Sequence, residues 1–269
     1  MTFGRIRVLL GRARRVLALE RLRRDLGRVP AGATVTLAGL RLRVTDGPNA
    51  YMQYKDEFVR RIYAFESATE TPVVIDGGAN IGMFTLATLR DHPGARITAF
   101  EPDPAIADML CANLAANGVG HVTVVNAALA AEDGTMPFAA DGQSGGALSA
   151  DGTIQVRADR LSRHITGPVD FLKLNIEGAE LDVLRELRDA GAIRHVAAMV
   201  VEYHGWPRGE QRLGAILDLL DACGFRYLLH DQDEQSNPHT KPPFHPPGDV
   251  PWFALVYAWQ PGRVSTRVR

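Results

Sequence analysis

Asp76 opens the run Asp76-Gly77-Gly78-Ala79-Asn80-Ile81-Gly82, directly after the apolar residues Val73, Val74 and Ile75. A carboxylate and three glycines therefore crowd the point where a buried-looking strand hands over to an amphipathic stretch. Glycine lets backbone approach a ligand closely, or take a positive φ that a side chain forbids. A tight strand-helix connection would need no more than this, so the loop alone is weak evidence. Glu101 strengthens it. It ends the next apolar segment, in Phe100-Glu101-Pro102-Asp103-Pro104, about 25 residues beyond Asp76. That separation is near the ~20 residues expected for an acid that grips a ribose diol at the end of a neighbouring strand. A carboxylate there accepts two hydroxyl hydrogen bonds and repels a 2′-phosphate, which points to an unphosphorylated adenosine compound.

The elements that must carry these residues are regular from Thr71 onward. Apolar strand candidates occur at Val73–Ile75, Ile97–Phe100, Val122–Val125, Phe171–Leu174 and Val196–Val201, with helical patterns between several of them. Asp103-Pro104 reads as a helix start and Asn117-Gly118 as a stop. Gly178–Ala190 and Arg212–Cys223 read as helices closed by Gly191 and Gly224. Short buried strands alternating with helices imply an α/β fold, a parallel sheet covered on both faces. Strands near Phe225–Leu229 and Trp252–Trp259 have no helix-like segment between them, so they are expected to pair antiparallel at one edge. In such a sheet, ligands bind beyond the carboxyl ends of the strands, where Asp76 and Glu101 both fall.

The whole chain of 269 residues, 46% hydrophobic and 23% charged, has the composition of an ordinary globular protein. It divides into an N-terminal appendage over 1–70, a main domain over 71–262 and a basic tail over 263–269. Two cysteines, Cys111 and Cys223, both in helix-like patterns, favour core positions in a reducing compartment over a disulfide framework. No apolar run reaches the ~20 residues of a membrane span, and no secretory signal is read, so a cytoplasmic location is expected. The net charge of −1 hides an asymmetry, because residues 1–28 hold nine arginines against Glu20 and Asp25. Ile6, Leu9, Leu10, Ala13, Val16 and Leu17 recur there at helical spacing. This basic helix is open to three readings: docking on the domain or on a second subunit, a weak contact with an anionic membrane surface, or nucleic-acid binding. The last is disfavoured because no aromatic residues are interleaved with the arginines. Thr34–Thr45 alternates like a small hairpin, and residues 49–67 look like a further helix.

The adenosine compound can be narrowed. A dinucleotide site usually presents G-x-G-x-x-G to a pyrophosphate, whereas this turn reads D-G-G-A-N-I-G. An anionic Asp76 suits a cationic head better than a diphosphate. S-adenosylmethionine carries a sulfonium, an ammonium and no phosphate, which favours it over NAD without deciding the matter.

At this point the chain resembles a known family. VVIDGGANIGMFT, AFEPDP, VVNAAL, VDFLKLNIEGAELDVL and MVVEYHG fall in the order and spacing of the FkbM-type S-adenosylmethionine-dependent methyltransferases, over about Val73 to Val201. The resemblance implies a Rossmann-like, seven-stranded class I methyltransferase sheet with an antiparallel last strand, and mainly O-methylation of hydroxyls on sugars or natural-product scaffolds. It places Asp76, Gly78, Asn80 and Gly82 in the donor loop, Glu101 on the ribose, and Pro102 and Asp103 in the adjoining turn. It puts Asn126 and Ala127 at the adenine edge. Asn175 stands where the family signature commonly has an acid. An amide still hydrogen-bonds donor or substrate, but is a poorer base and metal ligand, so no metal is expected.

An activated methyl needs an aligned oxygen nucleophile and a base for its proton. Candidates at the ends of the fourth and fifth main strands are Glu177, Glu202 and His204, with His204 first because its ordinary pKa lies near neutrality. Glu177 is expected to orient, near the donor or Lys173, and Lys173 has the alternative of a salt bridge pointing away from the site. Tyr51, Tyr54 and Trp206 are candidate aromatic walls for a small-molecule acceptor. The proline-rich stretch 231–251, with His239, Phe244 and His245, is a candidate lid. Two rival readings stand beside the methyltransferase: an NAD-dependent oxidoreductase, and a non-catalytic module that binds an adenosyl ligand or a partner.

Overall fold

The chain opens with a long helix, α1 (Thr2–Leu26), then a hairpin of β1 (Thr34–Leu37) and β2 (Leu40–Arg43). Helix α2 (Gly47–Tyr54) follows, capped by Asp46, whose Oδ1 accepts from Asn49 N at 2.7 Å, with Pro48 in its first turn. It runs straight into a π-helical segment, Lys55–Arg60. The computed structural model describes residues 2–140, 146–149, 151–206, 209–231 and 252–264. The basic tail beyond 264 and nearly all of the proline-rich stretch, with His239, Phe244 and His245, lie outside the described residues.

The main sheet begins at β3 (Val73–Gly77), with α3 (Met83–Asp91), β4 (Arg96–Phe100), α4 (Pro104–Ala116) and β5 (Thr123–Val125) following. A second sheet intervenes, formed by β6 (Ala128–Ala130), β7 (Gly134–Ala139), β8 (Ala147–Leu148) and β9 (Ile154–Arg160). Then come β10 (Val169–Leu174), α5 (Glu180–Asp189), β11 (Val196–Gly205), α6 (Leu213–Ala222), β12 (Arg226–Asp231) and β13 (Trp252–Trp259). The main sheet has seven strands in the order β12-β13-β11-β10-β3-β4-β5. Four neighbouring pairs, from β11 to β5, are parallel, and β13 lies antiparallel between β11 and β12. Strand order reverses between β3 and β10, which opens a crevice at their carboxyl ends.

Burial explains the strand sequences. Val74, Leu172, Leu174, Val200 and Val201 are fully buried, as strands covered on both faces require. Leu181, Leu184 and Leu187 of α5 pack one face together with Leu219 and Leu220 of α6, while Phe84, Ile97 and Phe171 fill the other. Helix α4 starts as its sequence dictates: Asp103 Oδ1 accepts from Ala105 N at 2.8 Å and Pro104 takes the first position.

The appendage is joined to this body rather than tethered to it. Asn113 of α4 exchanges amide hydrogen bonds with the backbone of Arg43, and Asn117 does the same with Arg41, so two asparagines complete the open edge of β2. Leu37, Leu42, Ala50 and Tyr51 share a core with Ile81, Leu110 and Leu114.

Three expectations need correction, and one sheet was not expected. The helix read over 49–67 stops at Arg60, because Arg61 turns left-handed (φ +58°) and its N–H closes a bond to Asp56 O. The β6–β9 sheet had no sequence signal, since two of its four strands are two or three residues long. Cys111 is exposed on α4 rather than in the core. Val16 and Leu17 of α1 face solvent, and Leu22 and Leu26 make the contact with the body instead. Among the described residues, no helix is long and apolar enough to cross a membrane.

Candidate active site

A cavity of about 860 Å³ lies at the carboxyl ends of β3, β4, β10 and β11. The expected residues Gly78, Asn80, Glu101, Pro102, Ala127, Asn175, Glu177, Glu202 and His204 all border it, whereas Asp76, Gly82 and Asn126 do not.

Glu101 sits at the tip of β4 and is almost fully buried. Its Oε2 accepts from Asn80 N at 2.8 Å and its Oε1 from Asp103 N at 3.0 Å. Two amides fix the carboxyl while each oxygen keeps a lone pair for a ligand. Burial raises its pKa to about 7, against the lowering effect of those two amides. Asn126 acts one step behind, its Nδ2 donating to Glu101 O (2.8 Å) and Pro102 O (3.1 Å), so it shapes the turn rather than meeting a ligand.

Asp76 has a different task from the one its sequence suggests. Strand register sets it opposite Lys173. Lys173 Nζ lies 3.0 Å from Asp76 Oδ1, and Thr85 Oγ1 donates to Oδ2 at 2.7 Å. The carboxylate has no exposed surface, and an unpaired charge there would be severely unfavourable. Lys173 in turn donates to Gly78 O (2.7 Å) and Gly77 O (3.3 Å). The pair therefore clamps the glycine loop, and Asp76 does not present its charge to a ligand. Gly78 is essential to that close approach: φ is +78°, and a Cβ would stand 1.8 Å from Asn175 O. Gly82 instead begins α3 at φ +88°, packed on Leu110.

The opposite wall holds half-buried acids. Glu202, on β11, is hydrogen-bonded by the hydroxyl of Tyr63. Burial raises the Glu202 pKa, although His204, Tyr63 and Lys173 pull the other way. Glu57, from the π-helical segment, also lines the cavity, and burial lifts its pKa well above the usual range. Tyr63 is pushed well up by burial and by Glu202 and Glu57. Asn175 Nδ2 approaches the Tyr63 hydroxyl at 3.4 Å, while its Oδ1 is buried without a partner.

His204 is surrounded by carboxylates. Nε2 is 3.2 Å from Glu177 Oε2 and 3.9 Å from Glu202 Oε1, and Nδ1 is 3.4 Å from Glu180 Oε1. The Nδ1 contact is an ion-pair distance without hydrogen-bond alignment, and Glu180 Oε1 also receives Ile176 N and Gly178 N. Burial pulls the imidazole pKa down, but Glu177 and Glu180 outweigh it and raise it to about 10. His204 is thus a fixed imidazolium near neutrality and has no lone pair with which to act as a base, contrary to the sequence expectation. Glu177 pairs with His204 rather than with Lys173. It adopts φ +54°, an uncommon conformation for a side-chain-bearing residue at a cavity wall.

Of the aromatic candidates, Trp206 lines the cavity, while Tyr51 is a core residue and Tyr54 stacks on Phe58. Sequence reasoning missed Tyr63 and Glu57. Both precede the recognisable motifs, and their only signal was a cluster of polar residues in a stretch that read as an ordinary helix.

Three comparisons accompany this geometry. The Methyltransferase FkbM domain matches residues 76–227. Methyltransferase sdnD of Sordaria araneosa is 30% identical over 49% of this chain, which spans 66% of that protein's length. The 31-O-demethyl-FK506 methyltransferase FkbM of Streptomyces tacrolimicus is 30% identical over 77% of this chain and 90% of its own. Among solved structures, the crystal structure of Methyltransferase FkbM from Methylobacillus flagellatus KT is similar in fold, with a TM-score of 0.50 and 17% identity over 78% of this chain and 50% of that one.

Proposed function

The chain belongs to the FkbM methyltransferase family, and from that premise we propose that it transfers the methyl group of S-adenosylmethionine to a hydroxyl oxygen of a sugar or natural-product acceptor. The observation that carries the reading is one continuous cavity with Glu101 at one side and the Tyr63–Glu202 pair at the other. The residues lining this cavity fit the donor. Glu101 has free lone pairs for ribose hydroxyls, Ala127 offers a small apolar surface for the base, and the orphaned Asn175 Oδ1 is an acceptor in want of an ammonium. Bound there, S-adenosylmethionine supplies an electrophilic methyl on a sulfonium leaving group.

The chain's own residues do the rest. Lys173 and Asp76 hold the glycine loop in shape. Glu202 takes the proton of the acceptor hydroxyl, its carboxylate oriented by Tyr63, and a pKa raised toward neutrality suits that role. His204 supplies fixed positive charge that helps keep Glu202 ionised and holds Glu177 at the wall. Because Lys173 and His204 are already engaged and Glu57, Glu177 and Glu202 face the same space, an uncharged hydroxyl suits this end better than an anionic acceptor. The Streptomyces relative is named for an O-demethyl natural product, which supports an oxygen acceptor.

Calorimetry with S-adenosylhomocysteine tests the donor side. Glu101→Ala is expected to weaken binding about tenfold or more, as loss of a buried charge-assisted pair of hydrogen bonds does. Equal affinity in variant and wild type would remove Glu101 from the site, and binding of NADH in place of S-adenosylhomocysteine would restore the oxidoreductase reading.

A further inference from the structure

Helix α1 carries two apolar stripes, and the body uses one of them. Leu26 is 4% exposed and Leu22 packs against the core that contains Ala50 and Tyr51. Val16 and Leu17, on the far side of the helix and between about a quarter and a half of a turn away, are 59% and 69% exposed. By spacing in the sequence, Ile6, Leu9, Leu10 and Ala13 continue the line of Val16 and Leu17 toward the N-terminus. The stripe that docks the helix is therefore not the longer apolar stripe of its sequence.

Charge selects what would cover the outward stripe. At the helical step, Arg14 and Arg21 fall on one flank of Val16 and Leu17 and Arg23 on the other. No acid precedes Glu20, and Glu20 and Asp25 are already matched to Arg23 and Arg21. Two copies pairing this stripe would set arginine rows against each other, and the one acid next to Val16 and Leu17 on that face, Glu20, is already matched to Arg23, which opposes self-association. Nine arginines in residues 1–28 against a chain of net charge −1 leave the remainder net negative in sum, so this helix carries a concentrated positive charge that favours an anionic surface. An apolar stripe flanked by arginines, whose long stems can reach outward, matches the headgroup boundary of a bilayer.

We propose that α1 docks this protein on anionic lipid bilayers, with Val16 and Leu17 entering the acyl boundary and the flanking arginines meeting lipid phosphates. The surface is independent of the methyl-transfer site.

Co-sedimentation of the full chain with vesicles tests this, using phosphatidylcholine alone and phosphatidylcholine with about a third phosphatidylglycerol. The expected result is partitioning onto the anionic vesicles at least about tenfold above the neutral ones, reduced by added salt. V16E/L17E is expected to lose about tenfold or more of that binding while S-adenosylhomocysteine affinity is unchanged. R14Q/R21Q reads the electrostatic share separately and should erode the preference for anionic lipid. Absence of binding to either vesicle overturns the proposal, as does anionic binding that V16E/L17E retains. A wild-type dimer in sedimentation that V16E/L17E dissolves, without vesicle binding, would assign the stripe to a second copy instead.

Discussion

The two ends of the cavity are built by opposite means. At the donor end, each charge is matched by a partner that strand register or local turn geometry supplies: Asp76 by Lys173, Glu101 by the amides of Asn80 and Asp103. At the acceptor end, Glu57, Glu177 and Glu202 come from three separate segments and crowd toward one imidazolium and one tyrosine hydroxyl. The first arrangement is set by adjacent strands and by backbone amides. The second is held by long-range tertiary contacts and keeps carboxyls with raised pKa values, the condition a proton acceptor needs. On the proposed reading, binding precision and chemical reactivity are separated within one cavity.

The sharpest way to break the contrast is at Glu202. Glu202→Gln should lower methyl transfer to an acceptor that the wild type methylates by about 10²–10⁴-fold, with S-adenosylhomocysteine affinity nearly unchanged. Single-turnover rates and calorimetry measure the two effects, and retained turnover would send the proton elsewhere. Next in size, Asp76→Asn should cost about 3–5 kcal/mol in urea unfolding, because it strands the buried Lys173 ammonium. A loss below about 1 kcal/mol would mean that the pair does not hold the loop.

His204 offers a direct check of the acceptor end. Its folded pKa of about 10 lies above the ordinary histidine value of 6.5. The stability it contributes is therefore fully present below the unfolded value and lost as pH rises through the folded one. Imidazole nitrogen shifts should report the doubly protonated ring at pH ~8, and His204→Gln should cost about 3 kcal/mol at neutrality. A ring that titrates near its ordinary value would return His204 to the list of bases.

Glu101 runs the opposite way. Its folded pKa of about 7 exceeds the usual 4.5, so its burial lowers stability progressively as pH rises through that window. Ribose hydroxyls prefer the ionised form, and S-adenosylhomocysteine affinity should fall about tenfold between pH ~8 and pH ~6. Glu101→Gln should abolish that dependence. The smallest effect belongs to Asp103, the cap of α4: Asp103→Ala should cost about 1 kcal/mol in thermal unfolding without altering the acceptor end.

Much of the donor end was legible because its signals are local. The loop glycines, Glu101 after a strand, and the Asp103-Pro104 cap are each specified within a few residues of chain. The acceptor end was legible only in part. Glu177, Glu202 and His204 were found as strand-end residues, but His204 was placed first among the bases and Glu177 was set near Lys173, because the pKa of His204 depends on carboxylates that fold around it. Tyr63 and Glu57 were not found at all. They enter the site because the segment before the main sheet folds back over it, and nothing within that segment announces the contact. The same holds for α1, where spacing identified an apolar stripe and only packing revealed that it faces outward.

By itself, then, the sequence determined the order of strands and helices, the loop glycines and the acid at the tip of β4. These follow from local backbone preference and the burial of apolar segments. Only the tertiary structure decided which charges meet: that Asp76 is bound to Lys173, that His204 stays cationic, and that Tyr63 reaches Glu202. Electrostatic roles depend on distance and desolvation in space, and neither quantity is written in the order of residues along the chain.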